Sequence, residues 1–285
     1  MSLESPMYTF ETPEPVDLRV EVWTGKIDVR AEPTSQTTVE LVALHGDGAA
    51  QEAISRARVE QRGNEIVVLM PKSKGSFFGR KGEVHATITA PLRSNLKVET
   101  GSADLEADGE LGDVDVSSGS GDVELDQIRE GSVRTGSGDV TVKRASGSVD
   151  TKCGSGDVEL GQVGGDANAI AGSGDVIITA IDGRLKVKTG SGDIVVKACG
   201  DELDAMAGSG DLLVKQIARG RLKAKTGSGD ISIGVANGTA AYLDIMTVTG
   251  DVRSDLDASE APIDTENTVE IIIQSGSGDV VLQRA

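Results

Sequence analysis

Apolar and polar residues alternate along most of this 285-residue chain, and glycines interrupt the alternation at near-regular intervals. The tetrapeptide Gly-Ser-Gly-Asp recurs with its aspartate at Asp122, Asp139, Asp157, Asp175, Asp193, Asp211, Asp230 and Asp279, with variants at Asp104 and Asp251. From Asp104 to Asp230 the spacings are 17 to 19 residues; they then stretch to 21 and 28. When the copies are aligned on the aspartate, aliphatic columns appear. Six residues before it stand Val98, Val116, Val133 and Val187; one after stand Leu105, Val123, Val140, Val158, Val176, Ile194, Leu212 and Ile231. Three after stand Leu125, Val142, Leu160, Ile178, Val196, Val214 and Ile233. A spacing of two places alternate side chains on one face of a strand. The spacing breaks across each Gly-Ser-Gly-Asp, which marks a corner where glycine admits backbone angles that other residues resist. Within the repeats no apolar period of 3.6 occurs, so helices do not fit there.

A chain that turns at this interval and stacks like residues on like is an all-β parallel β-solenoid, a β-helix of about 18 residues per repeat. The crossover rule points to a right-handed winding. A rival reading closes each coil after 36 residues. It would stack Lys186 and Lys188 directly on Lys223 and Lys225, whereas 18-residue coils interpose Asp204 and Met206. Like charges about 5 Å apart cost on the order of 1 kcal/mol in water, which favours the shorter coil.

Residues 1–94 lack the motif and read as an N-terminal β-rich cap, residues 95–253 as the solenoid repeats, and residues 254–285 as a loop and capping strands, all in one continuous unit. The cap has alternating strands over Leu18–Trp23, Ile27–Arg30, Thr38–Leu44, Glu65–Met70 and Val84–Ala90. A short helix is expected over Ala49–Arg56, and a hairpin turn at Arg62-Gly63-Asn64. Open solenoid ends expose strand edges and bare core, so they need caps.

Composition narrows the function. The six aromatics, Tyr8, Phe10, Trp23, Phe77, Phe78 and Tyr242, are too few for ring-based packing, so the core must be aliphatic. The net charge of −18 argues against nucleic acid or anionic lipid bound over a broad surface. No stretch is long and apolar enough to span a membrane, and the N-terminus lacks the pattern of a signal peptide. The expected compartment is therefore the cytoplasm. Cys153 and Cys199 fall in different columns and read as small buried residues rather than a disulfide or metal pair. His45 and His85, the only histidines, lie near no nucleophile or metal-ligand spacing, and no glycine-rich turn opens a helix as a nucleotide site requires. The chain reads as a non-enzyme without a cofactor.

Two features carry candidate chemistry. Stacked coils would align Asp139, Asp157, Asp175, Asp193, Asp211 and Asp230 along one edge. Such a row could hold Ca²⁺, but the second corner of the repeat shows no matching aspartate column. The competing reading has each carboxylate accepting turn amides. The other feature is the basic, aromatic segment containing Lys72, Lys74, Phe77, Phe78, Arg80 and Lys81, a candidate partner loop or a plug for the solenoid end.

The Gly-Ser-Gly-Asp-Val/Ile repeat resembles a bacterial, largely actinobacterial, family of adhesin-like β-strand-repeat proteins. The opening Phe10-Glu11-Thr12-Pro13-Glu14-Pro15 and the stretches Asn237–Asp244 and Ser254–Ala258 are similar to the ends of that family. The resemblance spans essentially the whole chain. It implies a β-helix-like fold and supplies no biochemical activity. Together these features predict a scaffold or protein-interaction module, with an unknown protein partner or self-association. The alternatives are a self-assembling filament or oligomer element, an exported adhesin-like surface rod, and a calcium-binding β-roll-like protein.

Overall fold

Strand formation here follows from the strict two-residue period, and stacking follows from the equal length of successive coils. The computed structural model describes residues 6–44, 48–71, 82–256 and 267–285. It divides into two units, Met1–Val142 and Lys143–Ala285, each of which is a stack of parallel strands.

Unit 1 begins with β1 (Met7–Glu11), β2 (Asp17–Glu32), β3 (Gln36–Ala43), the helix α1 (Gly48–Ser55), β4 (Arg58–Arg62), β5 (Glu65–Leu69) and β6 (Val84–Pro91). β7 (Asn95–Glu110), β8 (Asp113–Ser118), β9 (Val123–Ile128) and β10 (Glu130–Thr135) follow. The parallel stack starts N-terminal to the first repeat turn. β2 is a complete coil bent at Trp23-Thr24-Gly25-Lys26, and it lies between β5–β6 on one side and β7 on the other. Leu18 pairs with both Ile66 and Leu96, and Ile27 with both Ala86 and Leu105. At the bend Gly25 has φ +117°, and a Cβ there would stand 2.1 Å from the Val84 carbonyl oxygen. The free sides of β5 and β6 are covered by antiparallel strands, β4 on β5 and β3 on β6, with β1 on β3. The expected helix and hairpin are both present; Gly63 takes φ 61° in the turn joining β4 to β5.

β11 (Val140–Ala145) crosses the boundary between the units. Unit 2 continues in strand pairs, one pair per coil: β12 (Val149–Cys153) with β13 (Val158–Val163), β14 (Ala167–Ala171) with β15 (Val176–Ile181), and β16 (Leu185–Thr189) with β17 (Ile194–Cys199). β18 (Glu202–Ser209) with β19 (Leu212–Ile217) and β20 (Gly220–Ser228) with β21 (Ile231–Val235) complete the regular coils. The register is the 18-residue one: Ala167 pairs with Leu185 and Leu185 with Leu203, while Lys186 pairs with Asp204 and Asp204 with Lys223.

The C-terminal coils depart from sequence order. β22 (Thr239–Thr249) and β23 (Val252–Ser254) precede β24 (Asn267–Ser277) and β25 (Val280–Arg284) in the chain. In space β24 lies between β20 and β22, and β25 between β21 and β23. The long last spacings arise because the chain makes an outer coil first and then returns to fill the place beneath it.

The core is aliphatic, as the composition requires. Val20, Val98, Val116, Val133, Val187, Ile194, Leu212 and Ile273 are among its fully enclosed members, and no aromatic side chain belongs to the buried core of the described residues. Full burial of one such side chain contributes about 1.5–3 kcal/mol.

The second glycine of the repeat turn answers to two constraints. At Gly229 and Gly278 φ is +138° and +128°, backbone angles of the kind expected at a glycine corner. At Gly138, Gly174, Gly192 and Gly210 φ lies outside the left-handed region. What excludes a side chain there is the neighbouring coil: a Cβ on Gly192 would stand 2.1 Å from the Gly174 carbonyl oxygen, and one on Gly210 2.1 Å from that of Gly192. The backbones approach too closely for any larger residue. Gly192→Ala is therefore expected to destabilise the protein by about 2–3 kcal/mol. The neighbouring exposed Ser191→Ala should change stability by less than about 0.5 kcal/mol. Chemical denaturation of the two variants checks this.

Candidate interaction surfaces

The aspartates do form a ladder, and the backbone holds it together. In unit 1 the Asp104 Oδ1 accepts the Asp122 amide at 3.0 Å, and the Asp122 Oδ1 accepts the Asp139 amide at 2.9 Å. In unit 2 the Oδ1 atoms of Asp157, Asp175, Asp193 and Asp211 accept the amides of Asp175, Asp193, Asp211 and Asp230, each at 2.8 Å. The series then follows space rather than sequence: Asp230 accepts the Asp279 amide at 2.7 Å, and Asp279 accepts the Asp251 amide at 2.9 Å. Each bond joins an ionised acceptor to a main-chain donor, a stronger type of hydrogen bond than a neutral pair. One oxygen of each carboxylate is thus engaged in joining coils. Among the described residues no group of three or more His, Cys, Asp or Glu side chains is arranged to hold a metal ion.

The position four residues before the aspartate completes the turn. The Thr135 Oγ1 accepts the Gly138 amide at 3.0 Å, and the Thr189 Oγ1 accepts the Gly192 amide at 3.0 Å while donating to the Gly174 carbonyl at 3.0 Å. Cys153 occupies the same column, and its Sγ accepts the Gly156 amide at 3.0 Å. Both cysteines are buried and free, and burial pushes the Cys199 thiol above its ordinary range, which disfavours the reactive thiolate.

The second corner also carries a short polar ladder, which the sequence pattern had not shown. The Asn95 Nδ2 donates to the Asp17 Oδ1 at 2.7 Å, the Asp113 amide donates to the Asn95 Oδ1 at 2.8 Å, and in unit 2 the Arg184 amide donates to the Asp166 Oδ1 at 2.9 Å. Residue types vary too much along this column (Asn95, Asp113, Ser148, Asp166, Arg184) to register as a repeat.

A charged cluster lies on the outer face of unit 1. Lys26 pairs with Asp104 in register and so stands on the aspartate column, where its Nζ lies 2.8 Å from the Glu106 Oε2 and 2.9 Å from the Asp28 Oδ1. The His85 Nε2 lies 2.7 Å from the Asp28 Oδ2. The hydrogen bond to Glu106, followed by the contact with Asp28, holds the Lys26 ammonium above its ordinary pKa. Burial alone would raise the Asp28 carboxyl, but Lys26 and His85 together outweigh it and hold it below its ordinary value. His85 thus serves as a hydrogen-bond partner of Asp28 within the sheet. His45 and the candidate loop residues Lys72, Lys74, Phe77, Phe78, Arg80 and Lys81 lie outside the described residues.

Unit 2 presents two further surfaces. Lys186, Lys188, Lys223 and Lys225 project from β16 and β20 on either side of Asp204 and Met206, and no ion pair engages these four lysines among the described residues. On the outermost coil Tyr242 is 57% exposed, Met246 64% and Val248 79%.

Two consequences can be measured. Asp193→Ala removes the acceptor of the Asp211 amide and should cost about 1–2 kcal/mol. Asp193→Asn keeps an acceptor oxygen and relieves charge repulsion, so it should cost less than about 0.5 kcal/mol and reduce the gain in stability on adding salt. Thermal melts across a salt series distinguish the two variants. The second consequence follows from the lowered Asp28 pKa. Its contribution is fully present above the ordinary carboxylate value and is lost as pH falls through the folded value. Acid unfolding below about pH 4 should therefore be shallower in Asp28→Asn than in the parent when stability is followed from pH 6 to pH 2.

No helix among the described residues is long and apolar enough to cross a membrane. No curated protein matches the chain. Among solved structures it is similar to a candidate adhesin from Bacteroides fragilis NCTC 9343, with 14% identity over 99% of this chain and 98% of that one and a TM-score of 0.38. It is also similar to a candidate adhesin from Parabacteroides merdae ATCC 43184, with 10% identity over 98% and 97% of the two chains and a TM-score of 0.44. A candidate lipid binding protein from Parabacteroides distasonis ATCC 8503 matches with 9% identity over 100% and 96% and a TM-score of 0.33. The family model described as Toastrack DUF4097 matches residues 18–201 and again 132–284. The coils of both units fall within those matches, and the chain belongs to the Toastrack DUF4097 family, whose domain is β-solenoid-like.

Proposed function

We propose that this chain is a non-enzymatic cytoplasmic scaffold that presents ordered arrays of side chains to a protein partner. The observation that carries the reading is the lysine group on β16 and β20. Residues two apart on a strand are about 7 Å apart on one face, and strands two coils apart are separated by about 10 Å. Lys186, Lys188, Lys223 and Lys225 therefore mark the corners of a small rectangle with Asp204 and Met206 between them. In a protein of net charge −18 this is a local basic patch whose charges are not spent internally. Its chemistry suits an extended acidic segment that places carboxylates at alternate residues and an apolar side chain over Met206. Such pairing sets specificity and association rate more than raw affinity.

The test is affinity capture from a lysate of the source organism with the parent protein and with a Lys186→Gln, Lys188→Gln, Lys223→Gln, Lys225→Gln variant. These outward substitutions leave the inward columns intact. A protein retained by the parent, released by salt and lost with the variant supports the reading. An identical retained set for both proteins contradicts it. Fractionation of the native cells tests the compartment: the protein is expected in the cytosol, and its recovery at the cell surface would favour the adhesin-like alternative.

A further inference from the structure

Among the described residues, the stack of unit 2 ends on a coil whose outer side no other strand covers. Leu243 and Ile245 of β22 lie in register over Ile271 and Ile273, and Val252 of β23 lies over Val280. The three lower residues are completely enclosed, whereas Leu243 is 42% and Val252 46% exposed. With Tyr242, Met246 and Val248 on the outward face, this coil holds five of the six large hydrophobic side chains exposed among the described residues. Among the described residues β22 pairs only with β24, so none of them meets the main-chain groups on the other side of this eleven-residue strand. The aspartate ladder is unfinished here too. The Asp251 amide donates to Asp279, but no amide of the described residues caps the Asp251 carboxylate in turn, and its side chain is 79% exposed.

Proteins ordinarily protect such edges with charge or with a covering strand. Unit 1 does both. Its β5–β6 coil is covered by antiparallel strands, and the outer strand β4 carries Arg58, Glu60 and Arg62 within five residues. β22, by contrast, carries Asp244 as its one charged residue.

We propose that β22 is the interface for a second copy of this chain, the two β22 strands pairing antiparallel about a two-fold axis through Ile245. Antiparallel addition to a coil edge is a geometry this fold already uses in unit 1. The register suits self-pairing. It sets Tyr242 opposite Val248 of the other copy, an aromatic and β-branched pair of the type that stabilises sheets. It sets Asp244 opposite Met246 and Leu243 opposite Thr247, so no like charges face one another. Charge also selects this face over others, because two copies that each carry −18 repel over most of their surfaces and meet here over a nearly uncharged strand. A two-fold contact closes on itself and gives a dimer rather than a filament. The inference is independent of the partner assigned to the lysine patch.

Sedimentation of the full chain over a concentration series tests it, with Val248→Lys as the principal variant. Val248 is outward and 79% exposed, so its replacement leaves the core intact. A parent dimer is expected, with its dissociation constant raised at least about tenfold in Val248→Lys at unchanged melting temperature. A second readout fixes the register. A mixture of Tyr242→Cys and Val248→Cys proteins should oxidise to a disulfide-linked heterodimer, while either protein alone should not. Cys153 and Cys199 are buried and do not compete. A parent that stays monomeric up to about 100 μM overturns the proposal. A dimer indifferent to Val248→Lys, or an open-ended series of larger species, overturns it equally.

Discussion

The structure depends on the close stacking of one backbone turn on the next. At Gly-Ser-Gly-Asp the coils approach so closely that a Cβ on Gly174 would lie 2.0 Å from the Gly156 carbonyl oxygen, and the adjoining aspartate reaches across the same gap to the next amide. The glycine allows the approach and the carboxylate uses it. Rows of like charge about 5 Å apart would by themselves push the coils apart by on the order of 1 kcal/mol per pair in water. The charge-assisted bond to a main-chain amide is worth about 1.5–3 kcal/mol and offsets that repulsion. Part of the acidity of the chain therefore comes from the joint, to which each Gly-Ser-Gly-Asp turn adds a carboxylate.

This division of labour explains why the fold was legible in the sequence. Each coil meets its neighbours through the same few atoms, so Thr135, Thr189, Gly192 and Asp193 recur in fixed relation and the columns align by eye. The outward lysines resolved the coil length, because Lys186, Asp204 and Lys223 pair in series. The role of the second repeat glycine was only half legible, since the left-handed angle at Gly229 and Gly278 and the close approach at Gly192 leave the same residue in a sequence.

What the pattern could not show is stacking out of chain order. β2 sits between strands that lie far along the chain, and β24 slips beneath β22 although it follows it. Strand pairing is non-local, and a period reports only neighbours that follow one another. Lys26 illustrates the point. It occupies the aspartate column of unit 1, yet its turn reads Trp-Thr-Gly-Lys and does not register as a repeat. The place of β22 as the outermost described strand of its unit was hidden for the same reason, because the last coil in sequence is not the last in space.

Amide hydrogen exchange at single-residue resolution tests the stacking most directly. If each aspartate caps the next coil, the amides of Asp193, Asp211, Asp230 and Asp279 exchange orders of magnitude more slowly than that of the exposed Ser191 in the same type of turn. Substituting Asp175 by alanine should then speed exchange at Asp193 first. Ladder amides that exchange as fast as Ser191 in the folded protein would contradict the joint on which this account of the fold rests.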